Sequence, residues 1–220
     1  MGAILEAVAN FIFPPRCPAC QAYVETRGGW CPECLTLTLR PHRLPLSPEM
    51  LTQLDGAWAL GSYHGALRGL IRHLKYQKQR AVLPAIQTFL TASAPWLERE
   101  LGAGGVAVPV PLFAAKEKQR GFNQSELIFA DWLAASGWEW QRALVRTRAT
   151  QPQYGLDAAA RAKNMQGAFA AAPAAVLQGR AVLLVDDILT TGSTLFAGAQ
   201  ALRAAGASSV RALLLASDRI

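Results

Sequence analysis

No apolar run in this sequence approaches the roughly 20 residues that a helix needs to cross a bilayer, which excludes a helical membrane span. Charge is sparse. Only 17% of the 220 residues are Asp, Glu, Lys or Arg and 51% are hydrophobic, so a real core is feasible and global disorder is excluded. Acidic residues are missing altogether between Asp55 and Glu98. The histidines number three and are scattered, at His42, His64 and His73. Each reads as a surface residue, and no Ser–His–Asp arrangement suggests nucleophilic hydrolysis. Internal repeats and low-complexity tracts are absent. The start, MGAILEAVANFIFPP, has neither the basic opening nor the small-residue cleavage site of an export signal, and it lacks a hydroxyl residue at position six for myristoylation. The expectation is a soluble, cytoplasmic protein in which Leu5, Val8 and Ile12 form one face of a short docking helix.

The length suits one domain with a small appendage. The net charge of +7 favours anionic partners, and phosphorylated small molecules, nucleic acid and anionic membranes all remain open. The four cysteines fall in one window, CPACQAYVETRGGWCPEC, as Cys17, Cys20, Cys31 and Cys34. Two C-x-x-C knuckles separated by a turn deliver four thiolates to one point, which is what tetrahedral Zn²⁺ requires. A redox C-x-x-C normally occurs singly beside a βαβ pattern. Four unligated thiols fit poorly, because nearby apolar residues are too few to fold this stretch alone. The site would be closed and structural. Residues 1–45 therefore read as an N-terminal helix and four-cysteine zinc module, and 46–220 as the main domain, with LRPHRLPLSPEM a Pro-rich linker between them.

In the main domain, Gly56–Tyr63 reads as a strand. A helix follows whose Leu67, Leu70, Ile71 and Leu74 share one face, with Arg68, Arg72, Lys75 and Lys78 on the other and Arg80 just beyond. That basic face is either a solvated surface or an anion-facing one. AVLPAIQTFLTASAPWLERE predicts a second helix ending before Gly102, and Val106–Val108 a buried strand stopped by Pro109 and Pro111. FAAKEKQRG reads as a charged loop before a helix capped by Asn123 or Ser125. WEWQRALVRTR is a further strand, Asp157–Asn164 a short helix, RAVLLV a strand, and GSTLFAGAQALRAAG a helix closing on Gly206, before a last strand in SSVRALLLA. The alternation predicts an α/β fold with a parallel sheet flanked by helices.

VLLVDDILTTGSTL carries the chemistry. Four buried-strand residues run into Asp186 and Asp187, and ligands of open α/β sheets bind beyond the carboxyl ends of strands. The turn that opens the next helix, Thr190, Thr191, Gly192, Ser193 and Thr194, offers backbone N–H groups, hydroxyls and the positive end of a helix dipole, which suits a phosphate. The aspartates cannot touch that phosphate without repulsion. They need sugar hydroxyls or a ligand-bound Mg²⁺. A phosphorylated sugar satisfies both halves. The plainer alternative is a solvated turn with Asp187 or Thr190 as a helix cap.

VLLVDDILTTGSTL resembles the phosphoribosyl pyrophosphate (PRPP) motif of type I phosphoribosyltransferases. VPVPL, RGFNQSELIFA, TRATQPQYGLDAAARAKNMQGAF, LRGLIRHLKY and the doubled C-x-x-C resemble a narrower group, the ComF family of competence and gluconate-utilisation proteins. The resemblance implies a type I phosphoribosyltransferase-like sheet with an N-terminal zinc module. It implies that Asp186 and Asp187 hold the ribose hydroxyls, that Thr190–Thr194 cradle the 5′-phosphate, and that Pro109–Leu112 lies near the pyrophosphate. Lys116–Gln124 would be a loop closing over it, with Lys116 on PRPP and Arg120 its principal cation; FAAKEKQ lacks the further arginines expected there. Asp186, Asp187 and Arg120 would carry catalysis, and Mg²⁺ would ride on PRPP. Lys75, Arg161 and Asn164 fall in family-like segments with no role attached. Two functions follow from the resemblance: a phosphoribosyltransferase whose acceptor the motifs do not name, acting in DNA uptake, or a non-catalytic PRPP-sensing module that binds single-stranded DNA or a helicase-like competence partner.

Overall fold

Buried aliphatic strand residues set the centre of the molecule. The computed structural model of the chain describes residues 10, 13–77, 79–148, 164–189 and 191–219. In chain order its elements are α1 (Pro32–Thr38), β1 (Leu39–Arg43), α2 (Pro48–Leu51), β2 (Gly56–Ser62), α3 (Gly65–Tyr76), α4 (Leu83–Leu101), β3 (Val106–Pro109), α5 (Ala114–Arg120), α6 (Gln124–Ala135), β4 (Glu139–Trp140), β5 (Leu144–Arg146), β6 (Phe169–Ala171), β7 (Ala181–Leu189), α7 (Ser193–Ala204) and β8 (Ser209–Ser217). Six strands form one sheet in the order β1-β2-β8-β7-β3-β4. All its neighbours are parallel except β1, which runs antiparallel to β2. The expected mixed α/β fold with a mostly parallel sheet is what the chain adopts. β7 sits inside it, with Val182 opposite Val106 on one side and Val210 on the other.

Side chains alternate across the sheet with the period of two that strands impose. Trp58, Leu60, Leu183, Val185, Leu213 and Leu215 pack with α3, α4 and α6 in one core. Ala57, Ala59, Val182, Leu184, Ala212 and Leu214 pack with Leu195, Ala199 and Leu202 of α7 in the other. Both faces of the central strands are covered, which is why they read as continuous apolar runs.

Three readings need correction. Leu39–Arg43 is not a linker. It is the antiparallel edge strand, and Pro41 is tolerated there because an edge position leaves one row of ladder groups unpaired. The segment 138–148 is not one strand: β4 pairs with β3, and after Gln141–Ala143 the chain joins a separate two-stranded sheet as β5, paired with β6. The Ala, Lys, Glu and Gln residues before Gly121 are strong helix formers, and they make the short helix α5. Gly121 ends it with φ +85° and donates its N–H to the Glu117 carbonyl. The docking-helix residues Leu5, Val8 and Ile12 lie outside the described residues, as does most of the expected Asp157–Asn164 helix. Among the described residues, no helix is long and apolar enough to cross a membrane.

The cysteine segment packs on the body through Trp30. Its Nε1 donates to the Ala85 carbonyl at 2.8 Å, and its ring lies 5.8 Å from that of Phe89. The four Sγ atoms lie within 4.8 Å of one another, and Cys20 and Cys31 are 3.7 Å apart. A tetrahedral zinc with Zn–S bonds of about 2.3 Å places its sulfurs about 3.8 Å apart, so the donor set fits zinc. The thiols compete for charge. Burial works against the Cys17 thiolate, yet the backbone N–H groups of Cys20, Cys31 and Ala19 outweigh it and bring the thiol down to about 6. Cys34 is pushed up to about 12 by hydrogen bonding with Cys31 and Cys20, by burial and by Cys17. A divalent cation removes that conflict by replacing protons. Elemental analysis of protein purified without added metal is expected to give close to one zinc per chain. Cys31→Ser should lose the metal while far-UV circular dichroism still shows the sheet, whose two cores have their own helices. Zinc retained by the variant, or sheet signal lost with it, contradicts this assignment.

Candidate functional site at the carboxyl ends of the parallel strands

β7 extends further than its apolar run. Asp186 and Asp187 are still in the strand, with Asp186 paired to Leu214, and Ile188 and Leu189 continue the ladder on β8. Thr190 lies outside the described residues. Thr191 and Gly192 then turn into α7. Gly192 has φ +87°, a conformation that strains residues bearing a Cβ, and Met50 Cε would lie 2.6 Å from such a Cβ, so this turn favours glycine. Thr191 Oγ1 and Ser193 Oγ are 3.0 Å apart, and Arg219 Nη2 donates to the Thr191 carbonyl at 3.1 Å. Hydroxyls and the first helical N–H groups thus lie together at the start of a twelve-residue helix. Ser193 and Thr194, both partly buried, are its first two residues.

The two aspartates are held differently. Asp186 Oδ1 accepts from Ser125 Oγ and from the Asp187 N–H, each at 2.9 Å. Asp187, 2% exposed, accepts the Ile188 N–H on Oδ1 at 2.9 Å. Its Oδ2 lies 2.5 Å from Lys75 Nζ in a close, buried ion pair. Burial, followed by the neighbouring Asp187 carboxylate, pushes Asp186 up to about 7 against the pull of Lys75 and the two hydrogen bonds. Lys75 moves the other way for an ammonium in a buried place: burial lowers it, but Asp187 and then Asp186 outweigh that and raise it.

Ser125 reaches Asp186 because Asn123 fixes the start of α6. Asn123 Oδ1 accepts the Ser125 N–H and its Nδ2 donates to the Val110 carbonyl, both at 2.9 Å. Asn123 is therefore the N-cap, one of the two expected candidates. Arg120 is buried and donates from Nη1 to Gln124 Oε1. Lys116, although exposed, is held below its ordinary value by partial burial and by the positive charges of Arg120, Lys75 and Arg146. Arg146 of β5 is lowered by burial and feels Asp186 in the opposite sense. Lys75, Lys116 and Arg146, from α3, α5 and β5, therefore feel the two carboxylates, and Arg120 adjoins Lys116. An excess of positive charge of this kind matches a ligand with several negative charges.

The structure separates Lys75 from the basic face on which the sequence pattern placed it. Arg68 and Arg72 are exposed, while Lys75 turns inward. It follows fully buried Ile71 by one helical turn, so it stands at the border of the apolar stripe and not opposite it. Ser125, which the sequence suggested only as a cap, and Arg146 and Tyr63 join the site. Tyr63 is raised by burial and senses both Lys75 and Asp187. The signal for Ser125 was a polar run, Asn123–Ser125, directly before an apolar helix. Arg161 lies outside the described residues, and the Asn164 carbonyl accepts from Arg148 Nη2 at 3.1 Å. His64 and His73 are exposed, whereas His42 sits between the Arg40 and Arg219 carbonyls.

A phosphoribosyl transferase domain matches residues 128–220, which include the aspartates and the turn into α7, and a double zinc ribbon domain matches residues 8–45, which include all four cysteines. The DNA utilization protein YhgH of Escherichia coli (strain K12) is 32% identical over 204 residues, covering 89% of this chain and 87% of that protein. Competence protein F of Haemophilus influenzae is 27% identical over 203 residues, covering 90% and 82%. A solved adenine phosphoribosyltransferase from Leishmania tarentolae overlays loosely, with a TM-score of 0.42 and 15% identity over 80% of this chain and 95% of that one. The chain belongs to the family of DNA utilization protein YhgH and competence protein F, a phosphoribosyltransferase-type domain headed by a double zinc ribbon.

Proposed function

We propose that the chain binds PRPP, with Mg²⁺ carried on the ligand, at the carboxyl end of β7. The observation that carries this reading is the adjacency of two inward-set aspartates, one buried and one partly buried, to a hydroxyl-rich turn at the start of α7. The carboxylates suit a vicinal diol, and the turn, with Thr190 added from the sequence, suits the 5′-phosphate. Lys116, Arg120 and Arg146 provide charge for the pyrophosphate, which partly answers the shortage of arginines in FAAKEKQ. If transfer occurs, those cations and the ligand's Mg²⁺ stabilise the departing pyrophosphate, and no nucleophilic side chain is required. Replacing Asp186 and Asp187 together by Asn tests the assignment by calorimetry. Each lost contact is a hydrogen bond to a charged group worth roughly 1.5–3 kcal/mol, so PRPP affinity should fall by about 10²-fold or more. Unchanged affinity in the double variant rules the ribose assignment out.

The position of Asp186 gives a second test. Its carboxyl rises from an ordinary 3.8 to about 7 in the folded protein. A folded-state acid with a raised value binds protons that the unfolded chain releases, so it costs stability as pH climbs from about 4 to 7 and holds that cost above 7. Asp186→Asn keeps an oxygen for Ser125 and for the Asp187 N–H. The variant should be more stable to unfolding than wild type at pH 8, by on the order of 1–4 kcal/mol, with the difference shrinking as pH falls toward 5. A difference independent of pH contradicts the burial argument. Ligand hydroxyls favour the ionised form, so PRPP affinity should also strengthen as pH rises through 7.

The relatives' names point to DNA handling, and this chain reads accordingly as acting in DNA uptake during natural transformation, with or without catalysis. The non-catalytic alternative, a PRPP-sensing module on single-stranded DNA or a helicase-like partner, is favoured by one surface. Arg68 and Arg72 are exposed along α3, Tyr76 beside them is 73% exposed, and a groove of about 680 Å³ lined by Leu37, Ser62, His64, Gly69 and His73 adjoins them. Changing Arg68 and Arg72 to Glu should weaken single-stranded DNA binding and flatten its log–log salt slope by about 1.4, at about 0.7 per phosphate contact, while PRPP binding survives. DNA binding unmoved by the change removes α3 as the nucleic-acid surface.

A further inference from the structure

α3 treats its long polar side chains in two ways. Arg68 and Arg72 face solvent while Leu67, Leu70, Ile71 and Leu74 are buried. Lys75 instead sends its ammonium to the central strand, 2.5 Å from Asp187 Oδ2, with 13% of its own side chain and 3% of that of Asp187 exposed. Burying an ammonium forfeits its hydration, and the carboxylates of Asp187 and Asp186 offset that loss. Asp187 Oδ1 is already engaged by the Ile188 N–H, and Asp186 Oδ1 by two donors. One ammonium therefore serves a pair of adjacent carboxylates, and it sits on the oxygen that a ligand would need.

Adjacent carboxylates are what a hard divalent cation seeks. With Lys75 in place, a free cation would have to expel an ammonium from Asp187 and do so among Lys116, Arg120 and Arg146. A ligand that carries both a vicinal diol and its own anionic groups meets no such opposition. Its hydroxyls take over Asp187, and its phosphate oxygens receive the displaced ammonium. We propose that Lys75 is a built-in counter-ion latch: it holds Asp187 in the free protein, bars uncomplexed divalent cations from the carboxylate pair, and passes to an anionic group of the ligand on binding. Lys75 is thus a positioning residue that selects a diol joined to an anion over either alone. The idea rests on reading the site as one for a phosphorylated sugar.

The test uses Mn²⁺ alone, without PRPP, titrated by electron paramagnetic resonance into the full chain. Wild type is compared with Lys75→Met and with Lys75→Gln, which keeps a donor toward Asp187; thermal melting checks that each is folded. Both variants are expected to bind Mn²⁺ about tenfold or more tightly than wild type, and Asp187→Asn added to Lys75→Gln should abolish the gain. In parallel calorimetry with Mg²⁺ and PRPP, both variants should lose about tenfold or more in affinity, since the ammonium no longer meets the anion. A merely structural ion pair would move the melting temperature and create no Mn²⁺ site. Equal Mn²⁺ affinity in wild type and variants overturns the latch, and so does collapse of the fold in both variants. Should wild type take up no PRPP, the phosphoribosyl reading fails on its own, and the Mn²⁺ comparison still decides the role of Lys75.

Discussion

Two carboxylates on consecutive residues, drawn wholly or partly below the surface at the end of the central strand, repel each other and lose hydration together. Much of the surrounding structure answers that constraint. Ser125 and the Asp187 N–H converge on one oxygen of Asp186, and Lys75 crosses from a helix to meet Asp187. Even so, Asp186 remains hard to ionise at neutral pH. A globular domain gains little stability from such an arrangement, since the lost hydration of the buried charges offsets their attraction. The strain is understandable where a ligand brings donors of its own.

The scaffold places these groups by ordinary means. β7 is interior to the sheet, so its carboxyl end cannot slide without flipping every side chain of both cores. Asn123 joins α6 to the end of β3 through the Val110 carbonyl, and that one side chain sets where Ser125 points. Met50 fills the space under Gly192 and seats the turn into α7. The cysteine segment works at a distance from this chemistry. Through Trp30 it adds to the core between the sheet and α4, and its four sulfurs need a metal to reconcile their charges.

Charge around the site is unbalanced in a consistent direction. Lys75, Lys116, Arg120 and Arg146 arrive from three separate elements, and burial together with the charge of the other three lowers Lys116. Tertiary structure assembles the cluster from residues that are isolated in sequence.

What the sequence determined by itself were the features that depend on neighbours along the chain. The doubled C-x-x-C spacing announced a four-sulfur cluster, strand and helix periods announced a parallel α/β sheet, and VLLVDDILTTGSTL announced a strand running into an anion-binding turn. These follow from local geometry, which spacing encodes. What only the tertiary structure decided were choices between solvent and site. Lys75 looked like a member of a basic face, because Arg68 and Arg72 stand at helical spacing from it. Its inward turn depends on Asp187, 112 residues later in the chain. Leu39–Arg43 looked like a linker because of Pro41, and it became a strand because the edge of β2 was open to it. Ser125 read only as a helix cap, and Arg146 carried no pattern of its own. Their place was settled by which strand end each faces, a relation between distant segments that no local spacing records.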